Sequence, residues 1–172
     1  MSLWEKTKNY LVQLLIKDKR KSNAIIMDVD DTLVYTRSNG VSLIKYTKIC
    51  HTEVFIFPGI KEMIEVTQVA KRLGYRVIIL TARPKESYLS TKFNLDILKV
   101  PYDEIIMNTY KQDISFKYKI RQDILKRYKV LFSVGDQVAD VNGPPGLLGI
   151  KLPSLDSNKV QIYSNICPYR SL

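Results

Sequence analysis

Residues 25–36, IIMDVDDTLVYT, set Asp28, Asp30 and Asp31 directly behind a run of apolar side chains. A carboxylate buried without a partner costs several kcal/mol, so a fold that places acids there must offset the cost. The two-residue period of an extended chain sends Asp28 and Asp30 to one side and Val29 to the other. Further along, GDQVAD contributes Asp136 and Asp140. Carboxylates gathered this closely repel one another. A hard dication such as Mg²⁺ relieves the repulsion, because it takes oxygen ligands and tolerates several carboxylates. A lysine from FKYKIR, either Lys117 or Lys119, would neutralise more.

These residue types suit phosphoryl chemistry. One carboxylate can attack phosphorus and form an aspartyl-phosphate. The metal and the lysine neutralise phosphoryl oxygens, while the hydroxyl of Thr81 in LTARP donates a hydrogen bond. A second carboxylate can protonate the leaving alcohol and then deprotonate the water that cleaves the intermediate. Asp31 reads as a turn former.

Ligands of open parallel sheets bind outside the carboxyl ends of the strands, so the elements must bring these residues there. Apolar runs NAIIMDV, YRVIILT, DEIIMN, VLFSVGD and LLGIKL read as buried strands. Between them, KEMIEVTQVAKRLG has helical periodicity with Gly74 placed as a C-cap, and PKESYLSTKFNLDILK reads as a helix opened by Pro84. SFKYKIRQDILKRY is another helix, and residues 3–16 form an amphipathic one ahead of the first strand. Strands alternating with helices give the α/β class, a three-layer parallel sheet covered on both faces. The alternation stops between Thr32 and Pro58. There Asn39-Gly40, flanked by β-prone residues, signals a hairpin within an insert spanning residues 33–57. The insert is too short for a domain of its own, so residues 1–172 read as a single domain.

Composition narrows the classes. A hydrophobic fraction of 45% with 26% charged residues is that of a globular chain, and no apolar run reaches the length of a membrane span. The N-terminus carries an amphipathic helix in place of a signal peptide, and Cys50 and Cys167 form no disulfide framework, which points to the cytoplasm. The single histidine, His51, rules out a multi-histidine metal site. Lys and Arg total 27 against 17 acids, a formal charge of +10, which favours anionic partners.

The order DVDDT, IILTAR, FKYKIR and GDQVAD resembles the four motifs of the haloacid dehalogenase (HAD) superfamily over roughly residues 24–152. FPG, TARP and GDQVAD followed by IKLPS narrow the resemblance to the acid-phosphatase-like, subfamily III branch, whose layout recurs in polynucleotide 3′-phosphatases. The resemblance implies a Rossmann-like HAD fold in which the hairpin is a minimal cap. It makes Asp28 the nucleophile and a metal ligand, and Asp30 the acid/base whose backbone carbonyl also meets the metal. Thr81 then binds phosphate, Lys117 stabilises charge with Lys119 as the alternate, and Asp136 binds the metal. Asp140 is a further ligand or the partner of Lys117. Arg83, Tyr35, Arg37 and Tyr46 are candidates for substrate contact.

The leading expectation is a Mg²⁺-dependent phosphomonoester hydrolase acting on a nucleotide or other small phosphate ester. One alternative is a polynucleotide 3′-end phosphatase, suggested by Lys117, Lys119, Arg121, Lys126, Arg127 and Lys129 along one helix. Another is a non-catalytic storage or interaction protein on the same scaffold. A homodimer through the apolar face of the N-terminal helix, bearing Trp4, Tyr10, Leu11, Leu14 and Leu15, would close the open site.

Overall fold

The computed structural model describes residues 1–36, 45–49, 52–109, 115–153, 159–164 and 167–171. Arg37, Asn39, Gly40, Cys50 and His51 lie outside the described residues, as do the side chains of Tyr46 and Cys167.

The chain runs α1 (Leu3–Ile16), β1 (Ala24–Met27), β2 (Lys45–Ile49), β3 (Thr52–Ile56), α2 (Lys61–Arg72) and β4 (Arg76–Pro84). It continues through α3 (Tyr88–Ile97), β5 (Glu104–Asn108), α4 (Phe116–Arg127), β6 (Val130–Gly135) and α5 (Val138–Val141), and ends in β7 (Leu148–Lys151), β8 (Gln161–Ser164) and β9 (Cys167–Ser171). Among the described residues, seven strands make one sheet in the order β5-β4-β1-β6-β7-β8-β9. Pairing is parallel from β5 through β7, while β8 and β9 add antiparallel at the edge.

The period of two divides the strand residues between two helical layers. Ile25 and Met27 of β1, with Val77 and Ile79 of β4, join Leu11 and Leu15 of α1, Met63, Val66 and Ala70 of α2, and Leu95 of α3. Ala24 and Ile26, with Ile78 and Leu80, face Phe116 and Ile124 of α4. This is the three-layer α/β architecture expected from the alternation.

Two local features differ from the sequence reading, and a third lies beyond what the structure describes. The described hairpin pairs β2 with β3, Ile49 opposite Thr52, while the turn expected at Asn39-Gly40 lies outside the described residues. The β-branched residues Thr47, Ile49, Thr52, Val54 and Ile56 carry the strand preference there. Pro84 does not open a helix. It is the extended end of β4, paired with Asn108, and α3 begins four residues later after a 3₁₀ turn at Lys85–Ser87. Finally, β8 and β9 were not anticipated. Pro168 within β9 argues against a central strand, but an edge strand tolerates it.

Gly74 does close α2. Its φ is +86, and its N–H donates to the Lys71 carbonyl, a left-handed cap that a side chain would strain. The apolar side of α1 packs on the chain's own core: Thr7, Leu11 and Leu15 are buried, and Trp4 meets Tyr35 edge-on at 6.4 Å. No helix among the described residues is long and apolar enough to cross a membrane.

Candidate active site

Asp28 follows the last residue of β1, and its N–H donates to the Val134 carbonyl at 2.9 Å, which fastens it beside β6. The parity of β1 puts Asp28 on the side of Ala24 and Ile26, facing α4. Lys117, in the first turn of α4, reaches across and donates to Asp28 Oδ1 at 2.6 Å and to Asp140 Oδ1. Lys117 is buried and Lys119 is exposed, so Lys117 is the lysine brought into the cluster.

Asp136 and Asp140 come from the end of β6 and from α5. Asp140 Oδ2 accepts the Gln137 N–H at 2.9 Å, while Asp136 Oδ2 accepts Gln137 Nε2 at 2.6 Å. Gly135 makes this approach feasible, because a Cβ there would lie 2.1 Å from Asp140 Cβ. Asp28, Asp136 and Asp140 are all buried, and each offers an oxygen within 4.8 Å of the others.

The carboxylate of Asp30 does not converge with them. β1 ends at Met27 and the chain bends, so the alternation that would have kept Asp28 and Asp30 together is lost. Arg83 instead grips Asp30 through Nε, at 3.1 and 3.0 Å from its two oxygens, and through Nη2 at 2.7 Å. The third nitrogen of Arg83 donates to Thr91 Oγ1 at 3.1 Å, and the guanidinium lies 5.4 Å from the Phe57 ring centre. Phe57, just past the hairpin, is clamped at both its N–H and its carbonyl by the buried amide of Asn94. Arg83 therefore ties the acid to α3 and to the exit of the insert.

Thr81 is fully buried along β4, and its Oγ1 accepts the Arg83 N–H at 3.2 Å. Asp31 adopts φ +52 and accepts both the N–H and the hydroxyl of Thr36, as a turn former does. Tyr35 is turned toward Trp4, with burial first and then the charge of Glu62 raising its pKa.

The electrostatics reflect crowding. Burial, joined by the charge of Asp140, drives the Asp28 carboxyl well above the ordinary carboxylate range, against the opposing pull of Lys117. For Lys117, burial favours the neutral form, but Asp28 and Asp140 more than offset it and hold the ammonium charged. Arg121 is fully buried one turn further along α4. Desolvation lowers it to about 10, against Asp140 and Asp28, so it stays protonated at neutral pH. Its Nη2 donates to the Asn142 carbonyl, whereas Nε and Nη1 have no hydrogen-bond partner among the described residues.

The three carboxyl groups gather oxygen donors beside the two cations, and a hard dication held there would favour their charged forms, Asp28 included. Arg121, Gln137 and Thr32, whose buried Oγ1 also lacks a described partner, were not anticipated as site residues. Each sits within or beside a motif already singled out, and that proximity was the available signal.

A family model described as HAD superfamily, subfamily IIIB (acid phosphatase), matches residues 2–160, extending over α1 beyond the span of the motifs. No curated protein matches the chain. Among solved structures, one titled "Structure of Pnkp1/Rnl/Hen1 complex" is similar at 22% identity with a TM-score of 0.52, over 74% of this chain and 46% of that one. A second, "Structure of the Pnkp1/Rnl/Hen1 RNA repair complex", gives 20% identity and a TM-score of 0.48, over 77% and 44%. The chain thus spans less than half the length of these neighbours, and the first of them supports the fold alone.

Proposed function

The chain belongs to the HAD superfamily, subfamily IIIB (acid phosphatase), and from that premise we propose that it is a Mg²⁺-dependent phosphomonoester hydrolase. The observation that carries the reading is the buried contact of Asp28 with Lys117 inside a cluster of carboxylates at the strand ends. A turn-forming aspartate needs neither the burial nor the ammonium.

In this reading an Asp28 oxygen attacks phosphorus. The bond from phosphorus to the ester oxygen breaks, and Asp30 gives its proton to the departing alkoxide. Asp30, now a carboxylate, takes a proton from water as the water oxygen attacks the Asp28 phosphate. Inorganic phosphate leaves, and both acids return to their starting states. Lys117 faces the charge that grows on the phosphoryl oxygens, and the Thr81 hydroxyl donates to one of them. Asp140 has one oxygen on Lys117 and the other on the Gln137 N–H, so it anchors the lysine. Arg83 positions Asp30. Asp28, Asp136 and the Asp30 carbonyl would hold the dication, which when bound supplies further neutralisation of phosphoryl charge.

A short insert leaves room for substrates from small esters to bulky ones, and a nucleotide or another small phosphate ester is the leading class. Hydrolysis of a panel of nucleotides, sugar phosphates and 3′-phosphorylated oligonucleotides, with Mg²⁺ and with excess chelator, tests the reading. Metal-dependent release of phosphate that Asp28→Asn abolishes is expected. Full turnover in chelator, or by Asp28→Asn, would overturn it.

A further inference from the structure

A groove lies at the opposite end of the sheet from the acids. It is open, about 650 Å³, and lined by Arg20 and Ser22 before β1, Gln122 and Lys126 of α4, Tyr128 and Lys129 before β6, and the Pro144-Pro145-Gly146 turn before β7. These residues sit at the amino ends of strands whose carboxyl ends carry Asp28 and Asp136. Along α4, Lys126 stands nine residues from Lys117, about 14 Å at the rise of an α-helix.

The lining contains three cationic side chains and no carboxylate. Among the described residues neither Arg20 nor Lys129 has an ion-pair partner, and Lys126 meets only the exposed Asp123 at the rim. Such an exposed pair is worth little and yields readily to a competing anion. The Tyr128 ring is flanked by two further guanidinium groups, Arg127 at 5.2 Å and Arg76 at 5.4 Å, which extends the positive surface past the groove. Arg127 contacts Glu104 only at 3.5 Å. The basic helix read from sequence is redistributed: Lys117 and Arg121 turn inward to the acids, while Lys126 and Arg127 join this separate patch.

We propose that this groove binds the phosphodiester backbone of single-stranded nucleic acid, at a site separate from the carboxylate cluster. Its volume is that of a ligand cleft for one or two nucleotides. Spaced cations along a groove are the usual means of holding a strand's backbone without reading its sequence. The proposal goes beyond the phosphatase reading and does not depend on it.

The test is fluorescence anisotropy with a 5′-labelled single-stranded oligonucleotide ending in a 3′-hydroxyl, so that no phosphomonoester engages Asp28. Arg20→Glu combined with Lys129→Glu should weaken binding on the order of ten-fold or more and make the salt dependence shallower by about 1.4 in log–log slope. Arg20→Lys with Lys129→Arg should retain binding. Lys6→Glu with Lys61→Glu, the same charge change on the other helical layer, should also retain it. Equal loss in that control pair, unchanged binding in the groove pair, or no binding by the parent at low salt would each overturn the proposal. Turnover of a small phosphate ester, measured in parallel, should be the same in all variants. If the parent turns over no ester yet binds the oligonucleotide through the groove, the phosphatase reading fails and the groove stands.

Discussion

At the scale of single residues, the two aspartates of DVD differ in what holds them. Asp28 is buried against Lys117, whereas Asp30 is gripped by Arg83. Asp30→Asn should cut turnover of alkyl phosphates by about 10²–10⁴, the usual worth of a general acid–base, and slow p-nitrophenyl phosphate less, because that leaving group needs no proton. Arg83→Lys should reproduce this dependence on the leaving group with little change in KM. A uniform loss with a raised KM would show that Arg83 binds phosphate instead. Asp28 also sets a pH dependence. Burial raises its pKa in the folded chain, so the folded protein holds a proton that the unfolded chain releases. Stability of the metal-free protein therefore falls as pH rises above the ordinary carboxylate range, and Asp28→Asn should flatten that slope. Thermal melts in chelator across the acidic to neutral range read it, and an unchanged slope would count against the buried-acid description. That Asp28, Asp136, Asp140 and Lys117 would meet was legible, because their types and spacing are unusual near apolar strands. The partner of Asp30 was not, since a bend after Met27 breaks the alternation on which the reading relied.

At the scale of elements, the site depends on how strand ends are fixed. Gly135 leaves the space that Asp140 fills, so Gly135→Ala should displace Asp140 from Lys117 and lower turnover far more than it lowers Tm. Equal activity in the variant would show that Asp140 can move without consequence. At the other end, Asp103 holds the entry to β5, accepting the Val77 N–H at 2.8 Å and Lys71 at 2.7 Å. Burial works against its charge, but Lys71 and the Val77 N–H outweigh it and depress its pKa. Its contribution is present above the ordinary carboxylate range and is lost as pH falls through the depressed value. Asp103→Asn should remove that part of the acid limb in denaturant titrations at successive pH values, and an unaltered limb would contradict it. Most elements could be read from their apolar periods, because α1, α2 and α4 each present a stripe to one face of the sheet. The features that differ, the start of α3 and the β8–β9 edge, are those where pairing with another segment decides the conformation. Local preference could not supply that.

At the scale of the whole molecule, α1 is packed as part of the domain. Leu11 and Leu15 are buried against the α2 side of the core. Deleting residues 1–16 should therefore yield an unstable, aggregation-prone chain. A folded, monomeric truncation with a Tm near that of the parent would favour an interface role for the helix. The positive charge, +10 over the chain, is divided in space: Lys117 and Arg121 serve the carboxylates inside, and Arg20, Lys126 and Lys129 line the far groove. The sum of charges was legible in the sequence. Its division was not, because only the helical twist of α4 decides which of its cations face inward.

The central claim, that Asp28 takes the phosphoryl group, is tested most directly by rapid acid quench of the Asp30→Asn variant mixed with p-nitrophenyl phosphate and Mg²⁺, followed by peptide mass spectrometry. The good leaving group lets the first step proceed while the second, lacking its base, lags. One phosphoryl group is expected on the peptide that carries Asp28, absent when Asp28→Asn is added. Steady turnover with no covalent adduct, or an adduct on another residue that survives Asp28→Asn, would contradict it.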